Sequence, residues 1–213
     1  MSTIDELIIQ FELQVSDTTE LSEAEEYIVA NRVHNKICNQ RPWEFLKTPA
    51  TGTILSDSNG SYITLPSNFA YFCENNQKTD NTSITMNNAS PKVIFVGDSF
   101  VPYQIVNFSD RRQYRNKQGY AYLDMANNQI RFTYTPEAST YEFDYIKVPT
   151  TLISGASLAF PARFEDALVY GMAVDDQIIQ LSPKATSYAP ENQAKYQSTL
   201  DDMVYWNSQL ILN

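Results

Sequence analysis

The chain has 213 residues and a mass of 24.3 kDa, and its 15 Lys and Arg against 25 Asp and Glu give a formal net charge of −10. Such a surface repels phosphate backbones as a whole, which disfavours tight, general nucleic-acid binding. A folded chain of this length buries roughly 70% of the surface its unfolded form exposes, so it needs neither disulfide nor metal for stability.

The first ten residues, MSTIDELIIQ, carry acidic side chains where a secretory leader would carry basic ones, and none is expected here. The longest apolar run, Ala167 to Val174, is far below the roughly 20 residues of a membrane span, so no membrane partner is expected. Thr3 with Glu6 forms a capping-box pattern, and Ile4, Leu7, Ile8, Phe11 and Val15 follow at helical spacing. After a short acidic turn, Ser22 with Glu25 repeats the start signal, and Ala30, Val33 and Ile37 continue a second helix that Pro42 must stop. Cys38 and Cys73 lack metal-type spacing and are expected to be small, half-buried apolar residues in a protein made in a reducing compartment.

From about Thr51 to Val148 the period becomes alternating. Gly52 to Leu55 and Ser61 to Leu65 flank Asp57-Ser58-Asn59-Gly60, a hairpin signal because Asn-Gly tolerates positive φ. Further strands are predicted at Lys92 to Val96, Val101 to Val106, Tyr120 to Asp124, Gln129 to Tyr134 and Tyr141 to Val148; Pro102 predicts an edge position for the second of these. Turn-like Met125 to Asn128 and Pro136 to Ser139 separate the last three, which implies an antiparallel sheet. The polar stretch Asn75 to Ser90 reads as a long exposed loop.

Helical period returns after Leu158. Phe164, Ala167, Leu168, Gly171 and Met172 share a stripe, and Val169, Tyr170, Ala173 and Val174 fill the other side, so this helix must be covered on several faces by its own domain or a neighbour. Gly171 would admit another backbone at close range. A loop around Pro183 then leads to a last helix from about Pro190 to Leu212, with Tyr196, Leu200, Met203, Val204, Leu210 and Ile211 on its apolar side. The fold class read from this order is α+β: a helical bundle from residues 1–48 and 158–213, with an antiparallel sheet or sandwich module, residues 49–157, inserted.

Little in the chain suggests catalysis. His34 is the single histidine, so a two-histidine metal site is impossible, and six scattered glycines form no phosphate loop. The carboxylate pairs Glu165-Asp166, Asp175-Asp176 and Asp201-Asp202 fall in predicted helices, where neighbouring side chains diverge. Asp175, continuing the Phe164-Leu168-Met172 stripe, could join a salt bridge between subunits or simply mark a helix boundary. One basic concentration, Arg111, Arg112, Arg115 and Lys117 with Tyr114 among them, suits an acidic partner or phosphate; the alternative is an exposed loop paired with Asp110 and Asp124. Fourteen Tyr and two Trp point to interfaces, since these residues concentrate in interface cores.

Three segments resemble the head-to-tail adaptor proteins of tailed phages, the tail tubular protein A group and comparable neck rings among them. They are Asn39-Gln40-Arg41-Pro42-Trp43-Glu44-Phe45-Leu46, then Gly52-Thr53 through Tyr62-Ile63-Thr64-Leu65-Pro66-Ser67-Asn68-Phe69, and Tyr122 through Ile130-Arg131-Phe132 and Phe143-Asp144-Tyr145 to Phe160-Pro161-Ala162-Arg163-Phe164 and on to Gly171. The resemblance implies a structural, non-enzymatic protein without cofactor or metal, made in the bacterial host cytoplasm and placed in the virion at the capsid–tail junction. It implies a homo-oligomeric connector ring, commonly twelve-fold, that docks on the portal, receives the next tail or ring protein and lets genomic DNA pass without sequence-specific binding. Trp43, Phe164, Leu168, Met172 and Trp206 are then expected in the core or interface, and Arg111, Arg112, Arg115 and Lys117 in partner or DNA contact. The rival reading is a host-glycan-binding β-sandwich of a tail fibre or baseplate, since exposed aromatic rings also serve sugars; a hydrolase rests only on the carboxylate pairs.

Overall fold

The computed structural model describes residues 2–15, 21–73 and 92–212, the last two of these without their side chains. The acidic turn after the first helix and the stretch Asn75 to Ser90 lie outside the described residues, as does the side chain of Ile211. The chain is mixed α/β, with five α-helices and nine strands among the described residues. It divides into two compact units, Met1–Leu46 with Pro149–Asn213, and Lys47–Val148.

In the first unit, helix α1 (Ile4–Val15) buries Ile4, Leu7, Ile8, Phe11 and Val15, the stripe its period predicts. Its capping box is formed: the Thr3 amide donates to Glu6 Oε2 (2.9 Å), and the Glu6 amide to Thr3 Oγ1 (3.4 Å). Helix α2 (Glu23–Cys38) starts on the Ser22–Glu25 box and ends at Asn39, before Pro42 is reached. Asn31 ties α2 to the chain that returns from the second unit's last strand, donating to the Leu152 carbonyl (2.9 Å) and accepting from its amide (2.7 Å). Asp5 accepts from the Tyr27 hydroxyl and the Gly155 amide, which fixes α1 against α2 and the same returning segment.

Helix α3 (Asp166–Ala173) is apolar nearly all round, and its neighbours α1 and α2, together with helix α4 (Asp176–Leu181) and helix α5 (Pro183–Leu212), all belong to its own unit. Two expectations are corrected here. The C-terminal helix begins at Pro183, not Pro190. Ser182 accepts from the Ala185 amide (3.1 Å), so Ser182-Pro183 is a helix cap followed by a first-turn proline, not a loop. Pro190 lies inside the helix on its exposed side, where the Thr186 carbonyl that loses its donor is free to meet water. Asp175 does not continue the α3 stripe, because the helix ends at Ala173 and Asp175 caps α4 through the Gln177 amide (3.1 Å).

In the second unit, the strands are β1 (Lys47–Thr53), β2 (Leu55–Asp57), β3 (Gly60–Thr64), β4 (Phe69–Phe72), β5 (Val93–Val96), β6 (Val101–Val106), β7 (Tyr120–Asp124), β8 (Gln129–Phe132) and β9 (Thr140–Lys147). They form one sheet in the order β1-β9-β5-β6-β7-β8-β3-β2, and β4 shares an edge of β9 with β5. The two ends of this order, β1 and β2, are one run of chain interrupted only at Ile54, so the sheet curls back until it is nearly closed. Its interior holds Ile63, Ile94, Tyr103, Ala121, Ile130 and Phe143 among others, all at most 2% exposed. The predicted hairpin at 57–60 is present, with Asp57 opposite Gly60, and of the Asn59-Gly60 pair only Gly60 takes positive φ (110°).

The sheet is not wholly antiparallel: β6 and β7 pair in parallel. Strand β6 is also not an edge, since it lies between β5 and β7. Pro102 is tolerated because of its register. The Ile105 amide bonds toward β5, at the Lys92 carbonyl, and Gln104 bonds toward β7, so by alternation residue 102 faces the β7 side. Strand β7 begins at Tyr120, opposite Gln104, and no ladder bond is lost at the proline. A parallel pair needs a crossover, and the chain supplies it with residues 107–119, the basic segment.

Candidate interaction sites

The basic crossover is a chain of short turns. Successive amides of Asp110, Gln113, Tyr114 and Lys117 bond the carbonyls three residues back. Its end is pinned to the sheet: Asn116, in the left-handed region (φ 63°), donates its amide to the Thr133 carbonyl (3.0 Å), and the Thr133 hydroxyl reaches the Lys117 (2.7 Å) and Tyr120 (2.9 Å) carbonyls. Arg111 lies over the Phe108 ring (3.7 Å) and donates to the Phe108 carbonyl (2.6 Å), while Lys117 sits 5.3 Å from the centre of the Tyr114 ring.

Arg111, Arg112 and Arg115 line one cavity of about 570 Å³; its other walls include the Asn59-Gly60-Ser61 turn, Tyr122, Phe132 and Tyr134. Lys117 does not line it. The expected alternative, pairing with Asp110 and Asp124, is not what these residues do. Asp124 and Asp57 both face Arg131, at 3.5 and 2.8 Å, and Asp110 accepts from Asn107 and Ser109. Among the described residues, Arg112 and Arg115 form no ion pair, and no carboxylate lines the cavity. The turn at 57–60 was legible as a turn, but nothing local in the sequence places it opposite the basic segment.

In the helical unit, Trp43 is fully buried and donates its indole N–H to the Ile37 carbonyl (2.8 Å). Phe45 stacks on Trp43 (5.4 Å between ring centres) and on Trp206 (6.4 Å), and Phe164 meets Trp206 edge-on at 5.6 Å. The exposed Arg163 guanidinium lies 4.7 Å from the centres of both the Phe164 and Trp206 rings, so it covers this cluster on its outer side. Leu168 and Met172 are fully buried, and Trp206 is half-buried. Phe45 and Arg163, which complete the cluster, carried no sequence signal beyond their neighbours.

Asp175 pairs within its own unit, with Arg32 Nε at 2.9 Å. Gly171 admits side chains rather than a backbone: a Cβ there would come within 2.5 Å of Val33 Cγ1 and 3.0 Å of Tyr196 Cε2. His34 and Cys38 lie one helical turn apart, with His34 Nε2 3.7 Å from Cys38 Sγ; His34 is buried, and Cys38 and Cys73 are both buried rather than half-buried. Burial pushes the histidine down to about 4 and the thiol up to about 12, so both stay neutral. A nucleophilic cysteine needs the opposite shift. No cluster of metal-ligating side chains occurs among the described residues, and none of their helices is long and apolar enough to cross a membrane.

No match was found among curated proteins. A family model described as SU10 adaptor protein matches residues 2–210, and the span includes both units and all three segments that resemble head-to-tail adaptors. With that coverage, the chain belongs to the SU10 adaptor protein family of phage head-to-tail adaptors.

Proposed function

We propose that the protein is a structural subunit of the phage connector ring, docked on the portal, joined below to the next tail or ring protein and surrounding the path of the genome. The observation that carries this reading is the family match over residues 2–210, which spans the helical unit as well as the sheet. Charge is in keeping with it: a net of −10 per subunit supplies the acidity that, facing the lumen, would let DNA pass a ring without adhering. Identical subunits close into a ring through heterologous contacts, and a twelve-fold ring is the form proposed here.

Helices from both ends serve as a bundle-like scaffold, and the sheet unit forms a second domain. Trp43, Phe164, Leu168 and Met172 hold that scaffold together, with Trp206 at its border, while Arg111, Arg112, Arg115 and Lys117 meet an acidic partner or the passing DNA. The chain is made in the host cytoplasm and acts in the virion. Electron cryo-microscopy of intact particles tests the proposal. A symmetric collar of this chain between capsid and tail is expected, and a single copy elsewhere, such as at a fibre, would overturn it.

A further inference from the structure

We infer that the cavity beneath the basic crossover is the receptor for a carboxylate-bearing segment of a second copy of this chain. This deepens the connector reading by assigning one subunit contact to named residues. Three arginines converge on a space of about 570 Å³ that no carboxylate among the described residues lines. The nearby acids are committed elsewhere: Asp57 and Asp124 to Arg131, and Asp110 to Asn107 and Ser109. Among the described residues, Arg112 and Arg115 therefore reach the cavity without a counter-charge.

The walls define the chemistry of the ligand. Guanidinium forks match carboxylates two bonds at a time, and Tyr122 and Phe132 add apolar surface for the aliphatic part of an acidic side chain. The space is of a size that encloses a short segment rather than one that tracks a duplex. The four cations of the crossover contribute +4 to a net charge of −10, so the rest of the chain carries −14 and would repel any long polyanion that reached past the cavity. The same −14 makes another copy a source of carboxylates. A basic cavity repels its own image, so the contact joins two different surfaces, which permits the heterologous arrangement that closes into a ring. Because the crossover is pinned at Thr133, the receptor is formed before the ligand arrives.

Sedimentation velocity on the full chain, over a range of concentrations in about 50 mM and about 500 mM salt, tests this. Wild type is expected to associate at low salt and to separate at high salt. The Arg112→Glu/Arg115→Glu variant should associate at least about tenfold more weakly. Both side chains are exposed and make no ion pair with described residues, so the variant should keep the wild-type melting curve; Arg112→Gln/Arg115→Gln gives a second reading without added charge. Equal association of wild type and variants would overturn the inference, as would a wild type monomeric throughout. Arginine-dependent retardation of a short DNA duplex would overturn it in favour of nucleic acid. If the contact fails while particles still show the collar, only this assignment falls; if the collar lacks the chain, the connector reading falls, whatever the sedimentation result.

Discussion

Among the glycines, the closest approach lies at Gly171. Alanine is the better helix former by about 1 kcal/mol, yet its methyl would meet Val33 Cγ1 at 2.5 Å, and a β-branched side chain inside a helix has almost no alternative rotamer. Gly171→Ala is expected to lower stability by roughly 1–2 kcal/mol, read from the denaturant midpoint; a gain would show that the seam between α2, α3 and α5 is slack. His34 sets a pH dependence. Its Nε2 accepts from the Ala159 amide (3.2 Å), and Nδ1 has no described partner, so the buried ring is held neutral. The unfolded chain binds a proton near 6.5 and the folded one only near 4, so stability is complete above 6.5 and falls as pH drops through that window, by about 3 kcal/mol in all. His34→Gln should remove this part of the slope in unfolding measured at pH 4.5 and 7. Met172→Asp places a charge at a fully buried position and is expected to abolish folding or ring assembly; a soluble, assembly-competent mutant would show that the site is not core.

Among the elements, the pinned crossover is the most open to test. Thr133→Val keeps the shape but removes the hydroxyl's bonds to the Lys117 and Tyr120 carbonyls. A loss of about 1–2 kcal/mol and faster amide exchange across residues 111–118 are expected, and unchanged exchange would mean the pin is idle. Elements set by local chemistry were legible in the sequence: both N-terminal capping boxes, the apolar stripe of α1 and the turns at 57–60 and 125–128. Elements set by distant partners were not. Pro102 marks an edge only if one ignores that β7 begins two residues past its level, a fact fixed by long-range register. Strand β4 is four residues long and exists because β9 offers it an edge. Ser182-Pro183 is a helix start written in local chemistry, a capping serine before a first-turn proline, and the apolar period that begins later at Tyr196 points instead to Pro190. The cavity joins positions 59–61 to 111–135, and no local pattern could announce that meeting.

At the scale of the whole molecule, one unit is continuous in the chain and the other is not. A fragment of residues 47–148 is therefore expected to fold alone, with the strand signature in circular dichroism and dispersed amide resonances; an unstructured fragment would show that the sheet needs the helices. Residues 1–46 alone should not fold, because α1 and α2 pack in large part against α3 and α5, from residues 149–213. Synthesis runs in one direction, so this division acts on the nascent chain. At about 5–20 residues per second, the opening helices wait on the order of ten seconds on the ribosome before their partners emerge, and through that interval they are an adhesive surface. Chaperones and neighbouring nascent copies can bind that surface, so the yield of folded subunits is decided in part while the chain is still being made.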